Sequence, residues 1–482
     1  MENTTNLKKK RPLFENIARL LFALYMMTLY IFVDKVETLG ISRLAFVLYA
    51  GFAGLTMLQR KRIHLGKNVM VAYITITWMY AATFWAYNTF WASYKMNTVW
   101  QVFLLFFLTY NLFSEDEDAH EYLLKSLYIS GIALLGYSIY TYGFSRVIEM
   151  MTSSGGGRLG REISHENTFG MYNATTVLVA FYYMLYKKRY KLFHVALAVL
   201  AFIFTMSSGS RKALLMLCVG ILFLVYKKYG VKKLYKVVII TTLLIALFLM
   251  VIKLPMFELI NTRVEMAMET LEGDGSGDAS ANTRFQMILD GWDVFKERLL
   301  IGYGADNYAL VTGYGTYSHN NFIEILVDFG LIGFILYYLS YVFAMKNLLT
   351  SKTDAGKALA AVFLARLLMD VALVTYYSKQ QWILLAFFLI SDKTCRSHKK
   401  KKHDDVINRP SDPPQELVAP FAKREVDNYE PDHNDEEIED SDTQSEDYTP
   451  DISVDGECCE ALCRQDISET EILVNDGEET ES

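Results

Sequence analysis

Tyr317-Ser318-His319-Asn320-Asn321-Phe322-Ile323-Glu324 runs directly into an apolar segment extending from Ile325 to Phe343. At about 1.5 Å per residue, a helix of this length crosses roughly 30 Å of hydrocarbon. A titratable imidazole therefore stands at the mouth of a membrane span, where proton chemistry near neutral pH is open to it. Similar apolar runs recur at 13–33, 43–58, 69–88, 98–113, 122–142, 166–186, 192–208, 212–227, 236–253, 321–345, 357–376 and 380–391. Hydrophobic residues make up 52% of the chain, more than a soluble protein of this size needs for its core. The expected fold class is all-α: a polytopic transmembrane helical bundle of about 12 spans (roughly 10–13), occupying 13–391.

The first run follows Lys8-Lys9-Lys10-Arg11, is too long for a secretory h-region and lacks a small-residue cleavage site. It reads as a signal anchor. Lys and Arg mark cytoplasmic loops. With residues 1–12 inside, Arg60-Lys61-Arg62, Lys187-Lys188-Arg189, Lys227-Lys228, Lys232-Lys233, Lys346, Lys352 and Lys399–Lys402 all fall on the cytoplasmic side. So does the acidic loop Glu115–Asp118, and both termini are expected to be cytoplasmic. The opposite, extracytoplasmic face receives 143–165, the long loop 254–320 and the short turn Ser207–Ser210. Of the 8 histidines, only His165 and His319 reach that face, so any chemistry is expected there.

The net charge of -7 arises mainly in the tail, 392–482. This segment is rich in Asp, Glu, Ser, Thr and Pro and cannot bury enough apolar surface to offset its ordering entropy, so it reads as a disordered cytoplasmic tail. The basic run 399–402 is suited to anionic lipid headgroups. Cys458, Cys459 and Cys463 lack a fourth ligand at metal-binding spacing, and the 5 cysteines give no disulfide framework. No metal, other cofactor or nucleic-acid partner is expected.

Within the long loop, a Gly/Asp section at 273–278 reads as flexible. In 283–299, Phe285, Ile288, Trp292 and Phe295 then fall at helical spacing. This predicts an amphipathic helix on the membrane surface, with Thr283 as N-cap and Arg284 in the first turn. Gly302 and Gly304 after it permit a tight turn with close backbone approach. Arg211 opens a span after Ser208-Gly209-Ser210, and either snorkels as an anchor or binds a phosphate bidentately. Gly155-Gly156-Gly157-Arg158, with Arg161, reads either as an anion-binding concavity or as a connector. His165-Glu166-Asn167 at a span entrance is open to structural or catalytic use. Arg366 and Asp370, at i and i+4 inside a span, predict an ion pair facing the bundle interior.

Taken in order, these elements resemble the O-antigen ligase and polymerase family of bacterial polysaccharide membrane enzymes. The carrying residues are the Gly-Arg segment before His165-Glu166-Asn167, Ser208-Gly209-Ser210-Arg211, Arg284 and Trp292 before Gly302-Tyr303-Gly304, and Ser318-His319-Asn320 with Glu324 and Gly330-Leu331-Ile332-Gly333. The resemblance covers 150–345. Glu166 departs from the family's usual Asn-Pro-Asn, where Pro is common.

The resemblance implies glycosyl transfer at the outer face of a bacterial cytoplasmic membrane, from an undecaprenyl-diphosphate-linked oligosaccharide to a glycan hydroxyl. Arg211 and Arg284 would bind the diphosphate leaving group, and His319 would deprotonate the acceptor. Arg158, Arg161, His165, Asn167, Asn320 and Glu324 would support them. Diphosphate leaves readily when arginines stabilise it, and a base near pKa 7 activates the nucleophile, so no metal is required. The outer face also lacks an Asp-x-Asp. The leading expectation is polymerisation of repeat units into capsule, exopolysaccharide or O-antigen, beside a chain-length regulator and a flippase. A ligase acting on lipid A core or another acceptor is the first alternative. A lipid-linked sugar flippase is the second, although charges gather at one face rather than along a pathway.

Overall fold

The computed structural model describes residues 11–32, 39–152, 158–187, 189–230 and 279–391, with isolated positions at 235, 239 and 242. Gly155–Gly157, the run 236–253, the Gly/Asp section 273–278, the basic run 399–402 and the whole tail fall outside them. Among the described residues there is no strand. The helices are α1 (Leu13–Ile31), α2 (Leu39–Arg60), α3 (Lys67–Ala81, continued by a 3-10 turn at Ala82–Trp85), α4 (Thr89–Phe113), α5 (Ala119–Thr152), α6 (Glu166–Tyr186), α7 (Lys191–Ser207) and α8 (Arg211–Tyr229). They continue with α9 (Ala279–Glu297), α10 (Tyr308–Val311), α11 (Asn321–Thr350), α12 (Asp354–Met369) and α13 (Lys379–Leu389).

Every expected apolar run within the described residues contains a helix. Among the described residues, five helical stretches are long and apolar enough to cross a membrane: Leu13–Ile31, Gly40–Arg60, Thr89–Phe113, Ala119–Gly143 and Asn321–Thr350. The chain is an integral membrane protein; the figure of about twelve crossings rests on the sequence pattern alone.

The helices pack as one contiguous apolar core, α1 against α2 and α5, α6 against α7 and α8, α8 against α12, α3 against α11, and α4 against α13. The ends of the bundle differ in chemistry. At one end the basic clusters meet acids: Arg11 lies 3.0 Å from Asp116, Arg60 2.9 Å from Glu15, His64 3.0 Å from Glu115 and Lys187 3.4 Å from Glu121. At the other end, α4, α6, α8, α11 and α13 begin on Asn88, His165, Ser210, Asn320 and Ser378, each accepting a backbone N–H from the first turn. Capping of this kind satisfies donors a helix start leaves orphaned, and it gathers several positive dipole ends at one end of the fold.

Two of the expected spans are not continuous helices. α11 breaks at Gly330, whose φ is +66°. The carbonyls of Val327, Asp328 and Phe329 instead accept from Tyr303 N (2.8 Å), Gly304 N (2.7 Å) and Trp78 Nε1 (3.1 Å). Beyond the break, Leu331 N and Ile332 N donate to Leu299 O (2.8 Å) and Leu300 O (3.2 Å). The 299–304 turn, with Trp78, thus supplies partners for backbone groups that the break leaves without helical ones, which a break at membrane depth requires. Backbone contact this close excludes a Cβ. One built on Gly302 (φ +67°) would sit 2.6 Å from the backbone of Asp328. The close approach read from Gly302 and Gly304 is therefore realised, but its partner is a broken helix. α5 likewise breaks at Gly143 (φ +73°) and resumes as helix to Thr152, where a loop was expected from 143.

The second interruption follows α12, which stops at Met369 rather than running through the apolar stretch to 376. Residues 370–378 form an irregular segment folded onto the start of α11. Asn321 Oδ1 accepts from Thr375 N (2.7 Å) and Tyr376 N (3.0 Å), Asn321 N donates to Asp370 O (2.8 Å), and Asn320 Nδ2 donates to Val371 O (3.0 Å). This arrangement also corrects the expected Arg366–Asp370 pair. Asp370 accepts from Thr375 Oγ1 (2.7 Å), Tyr338 OH (3.2 Å) and Asn321 Nδ2 (3.4 Å), while Arg366 Nε donates to Gln381 Oε1 (3.3 Å). Hydroxyl and amide donors hold the carboxylate because the chain turns away from helix at that residue. Replacing Asn321 by Ala would orphan two buried N–H groups, at about 1–3 kcal/mol each. Asn321→Ala is therefore expected to lower the thermal midpoint of the detergent-solubilised protein clearly; an unchanged midpoint would mean the segment is held by other contacts.

The amphipathic helix of the long loop is present as α9, with two corrections. It begins at Ala279, so Thr283 lies inside it and is not its N-cap. Its buried face carries Met287, Gly291 and Phe295, which pack with Tyr308, Ile323, Leu326 and Val327 of α10 and α11. Phe285 (62% exposed) and Trp292 (48% exposed) point away from this contact with Leu289. The apolar stripe is wide enough to divide between a protein-facing edge and an open one.

Candidate active site

His319 lies in the turn that feeds α11 and has φ +55°, a left-handed conformation uncommon for a residue with a Cβ. The turn is built from its own side chains. Ser318 N donates to the buried carboxylate of Glu324 (2.7 Å), Ser318 Oγ to Asn320 O (2.7 Å), and Asn320 Oδ1 caps the helix by accepting from Phe322 N (2.9 Å) and Ile323 N (3.0 Å). Asn320 and Glu324 therefore shape the loop rather than present themselves to a ligand. The His319 ring packs on Tyr317, centroids 4.3 Å apart, and its ring nitrogens have no hydrogen-bond partner among the described residues.

A second wall comes from the tight turn between α7 and α8. Gly209 has φ +61°, and Ser210 Oγ caps α8 by accepting from Ala213 N (3.3 Å), which sets Arg211 and Lys212 in the first turn of α8. α6 presses directly on this turn, since a Cβ on Gly170 would meet Ala213 and Ser210 at 3.1 Å. Arg158 joins the two elements, donating from Nε to Ser208 O (2.8 Å) and from Nη2 to Asn167 Oδ1 (3.2 Å). Arg158 and Asn167 are thus ties of the site wall. Arg161 is largely exposed, 3.8 Å from Glu166. His165 caps α6, its Nδ1 accepting from Asn167 N (3.2 Å).

Electrostatics show which of these side chains share one neighbourhood. The charges of Arg284, Lys212 and the His165 imidazole act on His319, and those of Arg284, Arg211 and Arg158 act on Lys212. Arg284, Lys212 and His319, far apart in sequence, are therefore linked by charge, Arg211 and Arg158 act on the same Lys212, and Arg161 acts on neither Lys212 nor His319. Burial first, then Arg284, Lys212 and His165, holds the His319 pKa down at about 4, below its ordinary 6.5. The base therefore differs from the one near pKa 7 that was expected. Its imidazole is neutral and proton-accepting at physiological pH, but weak.

Three features of the site escaped the sequence reading. Lys212 was overshadowed by Arg211 beside it. The segment 370–378 was assigned to a span because it is apolar. Asp328, four residues after Glu324 in an otherwise apolar run, was a legible signal of a buried functional interior. It accepts from Asp306 N (2.9 Å), Tyr308 N (3.1 Å) and Tyr376 OH (3.1 Å), and so fixes the loop below His319; Lys95 completes that layer 2.8 Å from Asp306. Among the described residues no group of His, Cys, Asp and Glu is arranged to hold a metal.

The cluster can bind an anion, through guanidinium and ammonium groups backed by the N-termini of α6, α8 and α11. It also places a neutral imidazole against that anion. No curated protein matches the chain. Residues 196–338, which contain Arg211, Lys212, Arg284, His319 and Glu324 but not the α6 entrance, match the family model described as O-Antigen ligase. The likeness carried by the motifs thus holds over this core: residues 196–338 are similar to the O-antigen ligase family.

Proposed function

We propose that the protein is a membrane glycosyltransferase that polymerises polyprenyl-diphosphate-linked oligosaccharide repeats into a surface polysaccharide, at the extracytoplasmic face of a bacterial cytoplasmic membrane. The observation that carries this reading is that the charges of Arg284 and Lys212 act on a neutral His319 at one end of the bundle, with Arg211 beside Lys212 in the first turn of α8. In this reading Arg284 and Arg211 hold the diphosphate of the donor, and their charge stabilises its departure from the anomeric carbon. His319 takes the proton from the acceptor hydroxyl as its oxygen attacks from the opposite face, inverting that carbon. The cation-rich end is placed outside because the other end carries the basic clusters that mark cytoplasmic loops.

The bound diphosphate also repairs the weakness of the base. Its negative charge offsets Arg284 and Lys212, so the His319 pKa rises towards its ordinary value only when the donor is in place. Proton abstraction is thereby tied to donor occupancy, which guards against attack with no leaving group present.

Arg284→Gln, in cells that depend on this protein for their surface glycan, is expected to reduce glycan transfer by about 10²- to 10³-fold at normal membrane levels of the protein. Full-length polymer at wild-type amounts would refute the assignment. The products that accumulate also separate the two family activities. Single repeats left on lipid indicate a polymerase, whereas finished lipid-linked chains left unattached indicate a ligase.

A further inference from the structure

Lys212 is held in a way that a surface anchor would not be. It occupies the first turn of α8, largely out of solvent, and its Nζ donates to the backbone carbonyl of Ala372 in the 370–378 segment. That segment is fixed from its other side by Asn320 and Asn321, the two residues that follow His319. Lys212 therefore ties the α8 start to the turn that carries the base. It does so amid the like charges of Arg284, Arg211 and Arg158. No carboxylate lies within ion-pair distance of Lys212 among the described residues. Like charges held close together repel, and an anion shared among them offsets that repulsion.

Resting on the reading that the cluster binds a diphosphate, we propose that Lys212 is a further donor-binding residue, whose ammonium contacts a diphosphate oxygen between Arg211 and Arg284. An ammonium has three donors, so it can keep Ala372 O and still reach the ligand. Arginine forks fix the orientation of a phosphate, while the compact lysine adds charge where the two phosphates and the leaving oxygen crowd together. Because the Lys212 charge also acts on His319, an anion held by Lys212 would be felt by the imidazole.

The test uses the full-length protein in nanodiscs, with geranylgeranyl diphosphate as the probe for binding and the lipid-linked repeat as substrate for turnover. Lys212→Met is expected to weaken probe binding about tenfold or more, and Lys212→Arg to recover most of it. With one positive charge gone from beside His319, the acid limb of kcat/KM in Lys212→Met is also expected to move to higher pH. A purely structural tie to Ala372 would lower thermal stability while leaving probe affinity unchanged. Wild-type probe affinity in Lys212→Met, while Arg284→Gln still loses binding, would overturn the role of Lys212 and leave the diphosphate reading standing. Failure of the wild-type protein itself to bind the probe would overturn both.

Discussion

His319→Asn is expected to lower glycosyl transfer by about 10²- to 10⁴-fold, the range supplied by a positioned general base, while the protein remains folded. Asn is the informative replacement because it tolerates the left-handed backbone that His319 adopts at φ +55°. Loss of activity then reports on the imidazole rather than on a distorted turn. The turn should survive, since Ser318, Asn320 and Glu324 hold it without help from the His319 ring. The pH dependence is a sharper part of the same prediction. His319 is held at about 4, so the acid limb of kcat/KM, which reports free enzyme, is expected below pH 5. The limb of kcat reports the donor complex, where bound anion offsets the nearby cations, and is expected closer to the ordinary value of 6.5. Activity falls on the acid side in both cases, because protonation removes the base. Coincident limbs would show that donor binding does not govern the base, and near-normal turnover in His319→Asn would remove His319 from the chemistry.

The second large effect concerns folding. Gly302→Leu is expected to abolish accumulation of folded protein. The substitution forces a Cβ to within 2.6 Å of the Asp328 backbone at a residue with φ +67°. To relieve that clash the 299–304 turn must retreat, withdrawing Tyr303 N and Gly304 N from the carbonyls of Val327 and Asp328. Orphaned groups at a helix break cost about 1–3 kcal/mol each, and strain at positive φ adds about 1–3 kcal/mol. Together these approach the whole stability of a typical domain, about 5–15 kcal/mol. Gly313→Leu is the control: its φ of +76° imposes comparable strain, but a Cβ there meets nothing within 4 Å. Size-exclusion profiles of fluorescent fusions in mild detergent would compare the two, and a monodisperse Gly302→Leu protein would show that the interlock is dispensable.

The sequence was most informative where the physics is local. Apolar runs of membrane-crossing length gave helices, because burying backbone polar groups in an apolar medium leaves helix as the accessible solution. The one cap read from the sequence, Thr283, falls inside α9, whereas His165, Ser210 and Asn320 cap α6, α8 and α11. His319, Arg211 and Arg284 were proposed from the ordered Arg and His motifs. Each is a charged or titratable group at a span end, where such groups are costly and stand out from the pattern. The sequence was least informative where apolar composition hides a break in the backbone. Met369 to Tyr377 looks like the end of a span, yet Asn321, forty-nine residues before Asp370, supplies the hydrogen bonds that let it depart from helix. Gly330 is one glycine in an apolar run until Leu299, Leu300, Tyr303 and Gly304 arrive to replace its helix bonds.

The same division applies to the site. Taken alone, the sequence determined which groups could carry charge and a proton, and at which ends of which helices they stand. Only the tertiary structure decided what those groups do to one another. It set Arg158 and Asn167 to hold the wall, left Arg161 outside, brought the charge of Lys212 to bear on His319 and lowered the basicity of His319. A pKa or a ligand site depends on distances between charges and on exclusion of water, and these arise between elements far apart in the chain.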